Sequence, residues 1–168
     1  MQLLGLHRDS SRWKLPKWER SLRKRLWWAL YIDDKWNSYT YGRPVNIEGA
    51  RSTIPPLSLD DDDWGKHGPP EKSADISCFI ALSRLSVILE SLLPLLLDRD
   101  GGTRRYGMER SVLVTAATDL EAVYRDLPKD LEFNPQNADY PARPGCRELK
   151  LSWTQLTHQA PFNSPTLA

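Results

Sequence analysis

From Lys17 to Tyr41 the chain runs without a proline or glycine, and it then meets Gly42-Arg43-Pro44. Few arrangements satisfy that pattern. Pro16 and Glu19 suit the first turn of a helix, where a missing N–H costs nothing and a negative charge meets the dipole. Gly42 can take the left-handed conformation that ends a helix, and Pro44 stops it from resuming. A long helix over residues 17–41, closed by a sharp turn, is therefore expected. Leu22, Leu26, Ala29, Leu30 and Trp36 or Asn37 recur at helical spacing and are the expected core face. Trp27, Tyr31, Asp34 and Ser38 form an adjoining stripe, and Arg20, Arg23 and Lys24 lie opposite.

Two more helices follow from the same signals. One starts near Ser73 and reaches about Leu97, with Pro94 expected to kink or end it. Its apolar run from Phe79 contains Arg84, Glu90 and Pro94, which favours a buried helix over a membrane span. The other covers roughly residues 108–126, with Val112, Ala116, Leu120, Val123 and Tyr124 on its apolar face. Leu127-Pro128 closes it. A short helix is expected over 146–159. Thirteen prolines and nine glycines require long loops between these elements. They fall at 8–16, at 45–64 with four aspartates from Asp60 to Asp63, at 98–107 and at 134–145. No segment reads as a strand and no repeat is visible. The expected class is all-α, an irregular helical domain over residues 1–160 with proline-rich loops, followed by a loose tail over 161–168. Leu3 to Leu6 reads as a helix end stopped by Gly5. The domain is thus expected to be incomplete at its N-terminus, with core surface exposed and poor solubility.

Charge and cysteine content narrow the function classes. The formal net charge is +1, but residues 1–50 carry ten Lys/Arg against five Asp/Glu. Cys78 and Cys146 are far apart and have no histidine neighbours, so neither a disulfide framework nor a cysteine-rich zinc site is expected. A reducing compartment follows. No secretory signal is present. His7, His67 and His158 lack companions at ligand spacing. Gly101-Gly102 lacks the Lys-Ser/Thr of a phosphate loop, no serine lies in a nucleophile elbow, and the aspartates lack the spacing of a calcium loop. These absences argue against an enzyme.

Two features remain. Arg20, Arg23, Lys24 and Arg25 interleave with Trp18, Trp27 and Trp28. That composition suits phosphate contact, or a solvated helix face whose tryptophans point inward; Arg20, Arg23 and Lys24 are the candidate interaction residues. Asp34 shares a side with Leu30 and Trp27, so a buried carboxylate there needs a partner. Arg43 is the expected one, pairing with Asp34 to fix the exit from the helix.

Leu4-Gly5-Leu6-His7-Arg8-Asp9, Arg25-Leu26-Trp27-Trp28-Ala29-Leu30-Tyr31, Asp34-Lys35 and Gly42-Arg43-Pro44, followed by Ile54-Pro55-Pro56-Leu57 and the aspartates, resemble the fungal-specific transcription factor domain, also called the middle homology or xylanolytic activator regulatory domain. Lys35 stands where the family usually has arginine. Leu127-Pro128-Lys129-Asp130-Leu131 and the segment 149–162 are weaker matches, Gln159-Ala160 departing from the family's His-Arg-Pro-Phe ending. The abundance of tryptophan, Trp13, Trp18 and Trp36 included, is similar to nitrogen-catabolism co-activators in the family. The resemblance implies an all-helical module, a nuclear location and control of RNA polymerase II genes, including nutrient-catabolic ones. Its partners would be other parts of a transcription factor or co-regulators, with no membrane role. Full-length members carry a six-cysteine zinc cluster that binds DNA. No such cluster is present here, so no cofactor is expected in this chain. The structural motif implied is Arg25, Leu26, Trp27, Trp28, Tyr31, Asp34, Gly42, Arg43 and Pro44. A free-standing interaction fragment or a metabolite-sensing module without DNA binding of its own is the alternative.

Overall fold

The structure is a computed structural model. It describes residues 4–61, 73–97 and 106–127, with side chains over 4–61, 76–97 and 110–127. Residues 98–105 of the loop expected at 98–107, the loop expected at 134–145, the 146–159 helix, the turn after Leu127, the tail from 161, His67, His158, Cys146, Asp62 and Asp63 lie outside the described residues.

Three helices make up most of the described chain: α1 (Lys17–Tyr41), α2 (Ser73–Leu97) and α3 (Tyr106–Arg125). Two single 3-10 turns, Gly49–Arg51 and Leu59–Asp61, interrupt the loop after α1. Among the described residues there is no strand, so the all-α class holds.

The ends of α1 follow from its sequence. The Pro16 carbonyl accepts from the Glu19 and Arg20 amides. Gly42 closes the helix at φ 63°, with its amide on the Ser38 carbonyl. That carbonyl also accepts from the Arg43 amide at 3.1 Å. An L side chain is disfavoured at this φ, and glycine removes that cost.

α2 is the middle element, packing against both α1 and α3. By length and composition it could cross a membrane, but here it supplies the core. Cys78, Ala81, Leu85, Ile88, Leu89, Leu92 and Leu93 are buried against Ala116, Leu120, Val123 and Leu127 of α3 and its exit, with Trp36, Tyr39 and Val45 alongside. A second cluster joins Leu6, Trp27, Trp28, Tyr31 and Leu57, with Ile47, Ile54, Phe79 and Ile80 against it. The polar groups in this interface are satisfied. The Ser86 hydroxyl donates to the Leu82 carbonyl at 2.8 Å and accepts from Trp36 Nε1 at 3.1 Å.

α2 reaches Leu97 as its sequence leads one to expect, with Pro94 inside it. Pro94 itself is exposed while Leu92 and Leu93 are buried, so apolar packing holds the helix past its breaker. One expectation is corrected: the core face of α1 is not the leucine stripe. Leu22, Leu26 and Leu30 are 39%, 45% and 40% exposed. The buried face is Ser21, Arg25, Trp27, Trp28, Tyr31, Asp34, Lys35 and Ser38. Polar and charged groups occupy it because partners elsewhere in the chain satisfy them, as described next.

Candidate functional site

Asp34 and Lys35 sit in the last turns of α1, where the chain folds back past Gly42 as an extended segment. This return brings residues 46–49 against the helix. Both Asp34 carboxylate oxygens accept from the Asn46 amide, at 3.0 and 3.1 Å. Oδ1 also accepts from the Asn46 side chain at 3.0 Å, and Oδ2 from the Ile47 amide at 3.0 Å. The carboxylate thus caps the returning strand of chain. Burial pushes its pKa up, but the bonds from Asn46, Ile47 and Lys35 outweigh burial and hold it below the usual range.

Lys35 has no exposed surface. Its ammonium lies 3.3 Å from Asp34 Oδ2 and 3.1 Å from Glu90 Oε1 of α2. It donates to the Ile47 carbonyl and sits 4.8 Å from the centre of the Tyr31 ring. Removing an ammonium from water costs several kcal/mol; here two carboxylates, a carbonyl and an aromatic face replace the water. Glu90 completes the group. It accepts from Tyr31 Oη at 2.6 Å and from the Gly49 amide at 3.0 Å. Burial raises its pKa, and the bonds from Gly49, Tyr31 and Lys35 outweigh that and lower it. Tyr31 is shifted the other way: burial, then the hydrogen bond and charge of Glu90, raise its phenol well above the ordinary value. A Cβ at Gly49 would stand 2.6 Å from Glu90 Oε2, so any larger residue there has to displace this carboxylate.

The Asp34–Arg43 pair expected from sequence does not form. Asp34 is occupied by Asn46, Ile47 and Lys35, and Arg43 is exposed with its guanidinium 5.5 Å from the centre of the Tyr41 ring. Backbone amides of the returning segment reach the carboxylate first.

The remaining motif residues have separate tasks. Trp28 Nε1 donates to the Pro55 carbonyl at 3.1 Å, and its ring meets Tyr31 edge-on with centroids 5.3 Å apart. The buried Arg25 donates to the Asp61 carbonyl at 2.9 Å. Leu26 faces outward. Pro44 forms part of the turn, its carbonyl 3.5 Å from the Ser38 hydroxyl. Arg20, Arg23 and Lys24 act as clamps. Arg20 donates to the Ser11 carbonyl at 2.8 Å and Arg23 to the Leu4 carbonyl at 2.6 Å. Lys24 pairs with Asp61 at 2.6 Å, and burial of Asp61, which raises its pKa, is outweighed by Lys24 and Ser58.

Beside the ionic group lies an open cleft of about 670 Å³ under residues 41–51. Trp27, Leu30, Asp33, Asn37, Tyr41 and Arg43 contribute to its wall, with His7 on the facing segment. Among the described residues no cluster of metal-ligating side chains occurs.

Sequence reasoning identified Tyr31 and Asp34 but missed Asn46, Gly49 and Glu90, and passed over Lys35 in favour of Arg43 as the partner of Asp34. Glu90 did carry a signal: a carboxylate in an apolar helix calls for a partner, although its place in the chain does not say which.

A model of the fungal specific transcription factor domain matches residues 2–139. The chain belongs to that family. It is a regulatory domain of the fungal transcription factor type. The chain is 34% identical over 113 residues to an uncharacterized transcriptional regulatory protein of Schizosaccharomyces pombe, covering 66% of the chain and 16% of that protein. It is 48% identical over 59 residues to the transcriptional activator protein DAL81 of Saccharomyces cerevisiae, covering 34% of the chain and 6% of that protein. An aurofusarin cluster transcription factor of Gibberella zeae is 39% identical over 64 residues, covering 37% of the chain and 10% of that protein. The matches therefore span a small part of each relative. No solved structure matches the chain.

Proposed function

We propose that this domain regulates a transcription factor through protein contacts, without catalysis and without holding a metal of its own. The observation that carries the reading is the family match over residues 2–139. The geometry is consistent with it. The most elaborate polar group, around Lys35, is buried and consumed by structural bonds. Its donors and acceptors bind α1, α2 and the returning segment to one another. A nuclear location and partners among transcription factors or co-regulators follow from the same membership. The similar proteins, a transcriptional regulatory protein, a transcriptional activator and a transcription factor, support it. DNA contact would belong to a zinc-cluster domain, and nutrient-catabolic genes are the proposed targets.

A reporter assay tests the reading. The chain is inserted between a heterologous DNA-binding domain and an activating segment in a fungal cell. Reporter output is expected to change on insertion and to return when Lys35→Met loosens the corner. Unchanged output with the intact chain, at equal protein level, would overturn the proposal.

The cleft favours a second reading, that of a metabolite sensor. Its volume lies within the range of small-molecule sites, and Asp33 and Arg43 place opposite charges along it. Thermal-shift measurements with amino acids, sugars and nitrogen compounds would test that reading; no shift with any of them removes it.

A further inference from the structure

The segment ahead of α1 offers a hydroxyl that the ionic corner does not use. Ser11 is exposed, and so are Arg8, Arg12, Lys14 and Lys17 around it. Among the described residues it is the one exposed serine or threonine with a basic residue three positions before it. Thr40, Ser91, Ser111, Thr115 and Thr118 are held in helices, whereas Ser11 lies in the irregular stretch 9–15. Such a stretch can open locally into the extended form that a modifying enzyme needs. Its neighbour Ser10 is buried. An arginine three residues ahead of the acceptor, with further cations after it, is the charge pattern that basophilic protein kinases select, since carboxylates line their substrate grooves.

The surroundings of Ser11 would respond to an added charge. Its hydroxyl donates to Asp9 Oδ2 at 2.7 Å and its amide to Asp9 Oδ1 at 2.9 Å. These two bonds, the hydroxyl's first, hold the Asp9 carboxylate below its usual range, so it is ionised at neutral pH. Arg20 Nη1 donates to the Ser11 carbonyl at 2.8 Å. Ser11, Lys17, Arg20 and Lys24 share the wall of a recess of about 250 Å³ with Asp9, Asp60 and Asp61. Lys24 is taken by Asp61, whereas Lys17 and Arg20 form no ion pair among the described residues. We propose that Ser11 is a phosphorylation site for a basophilic protein kinase, and that its phosphate displaces Asp9 and is received by Arg20 and Lys17. In the transfer, the serine oxygen bonds to the γ-phosphorus of ATP and the bond from that phosphorus to the β,γ-bridging oxygen breaks. ADP leaves, and the hydroxyl proton passes to the catalytic carboxylate of the kinase. The product no longer donates from Oγ, and about two negative charges then stand against Asp9. Arg20 offers the planar fork that binds phosphate through two hydrogen bonds. The Asp9 amide donates to Thr53 Oγ1 at 2.9 Å, and the Thr53 amide to the His7 carbonyl at 3.0 Å. Displacing Asp9 therefore loosens residues 7–9 from 52–54, beside the cleft that His7 lines. The site goes beyond the regulatory reading above, which neither requires it nor fails with it.

The test uses the full chain, ATP and the catalytic domain of protein kinase C, with a peptide of residues 5–17 beside it. Mass spectrometry of digests is expected to place a single phosphate on Ser11 in both. Ser11→Ala should abolish incorporation, and Arg8→Ala should slow it at least about tenfold. A peptide that is modified while the chain is not would show that the fold shields Ser11, and overturns the proposal. So does a failure of both, or a phosphate placed first on another residue. Hydrogen exchange reads the consequence. The Ser11 and Asp9 amides, held by Asp9 and Thr53, should exchange at least about fivefold faster in the phosphorylated chain; unchanged exchange overturns the displacement of Asp9. Phosphorus NMR reads the receiving cations. Arg20→Gln should leave the chain folded by its melt and raise the second pKa of the Ser11 phosphate by about half a unit or more. The same pKa in both chains overturns the role of Arg20.

Discussion

The Lys35 ammonium and the Glu90 carboxylate, 3.1 Å apart, join the C-terminal half of α1 to α2 in a place where the lysine has no exposed surface. Lys35→Met keeps the length of the side chain and removes the charge. Glu90, Asp34 and the Ile47 carbonyl would then face an apolar group. Loss of one partner from a buried pair costs about 3–5 kcal/mol. The lower end is expected, because the Glu90 side chain is 28% exposed and water can reach it. Urea denaturation, read by far-UV circular dichroism, measures this; a loss below about 1 kcal/mol would show that the corner contributes little.

Asp34 and Arg43 should differ sharply. Asp34→Ala strips acceptors from the part-buried Asn46 and Ile47 amides and a partner from the buried Lys35, and is expected to cost about 1–3 kcal/mol, since these donors are left unmade. Arg43→Ala removes only an exposed stack on Tyr41 and should stay within about 1 kcal/mol. Thermal melts of the two variants side by side decide between this arrangement and a direct Asp34–Arg43 pair.

Gly42 and Gly49 are glycine for different reasons, and one substitution separates them. Gly42 has φ 63° and open space around a Cβ. Asparagine tolerates that conformation, so Gly42→Asn should cost under about 1 kcal/mol. At Gly49 any Cβ meets Glu90 Oε2 at 2.6 Å. Gly49→Ala is expected to cost about 1–3 kcal/mol through overpacking. Equal melting temperatures for Gly49→Ala and the parent chain would refute the close approach.

Acid should release the corner. Asp34 and Glu90 are both held below their ordinary values of 3.8 and 4.5. They therefore bind fewer protons when folded than when unfolded, and their contribution is present above the ordinary carboxylate range. It is lost as pH falls through the folded values. Tyr31 acts at the other end. Its raised value means the folded state keeps the phenol proton, so its contribution is present below 10 and is lost as pH rises beyond it. A pH series of melts, with tyrosinate absorbance as the alkaline probe, should show a plateau between these limits. An alkaline rise in tyrosinate from every tyrosine before unfolding would contradict the burial of Tyr31.

The helices were legible in the sequence because their punctuation is local. Pro16 and Gly42 bound α1, and the apolar run bounds α2. The phase of α1 was not legible. Leu22, Leu26 and Leu30 satisfy an apolar pattern, while the face that turns inward carries Asp34, Lys35 and Ser38. That choice depends on Asn46, Gly49 and Glu90, and no local rule reports that such partners exist. Arg43 illustrates the same difficulty: nearness in sequence suggested an ion pair that the backbone amides of Asn46 and Ile47 pre-empt.

The Glu90 carboxylate accepts from Gly49, 41 residues upstream, and from Tyr31, 59 residues upstream. Contacts of such span carry an entropy cost of chain closure before they yield anything. During synthesis the N-terminal part of a chain emerges first. A nascent chain that ends before α2 therefore holds Lys35 without its second carboxylate, Glu90. The corner cannot assemble until Glu90 has left the ribosome, so the first half of this domain must wait for the second before it can close.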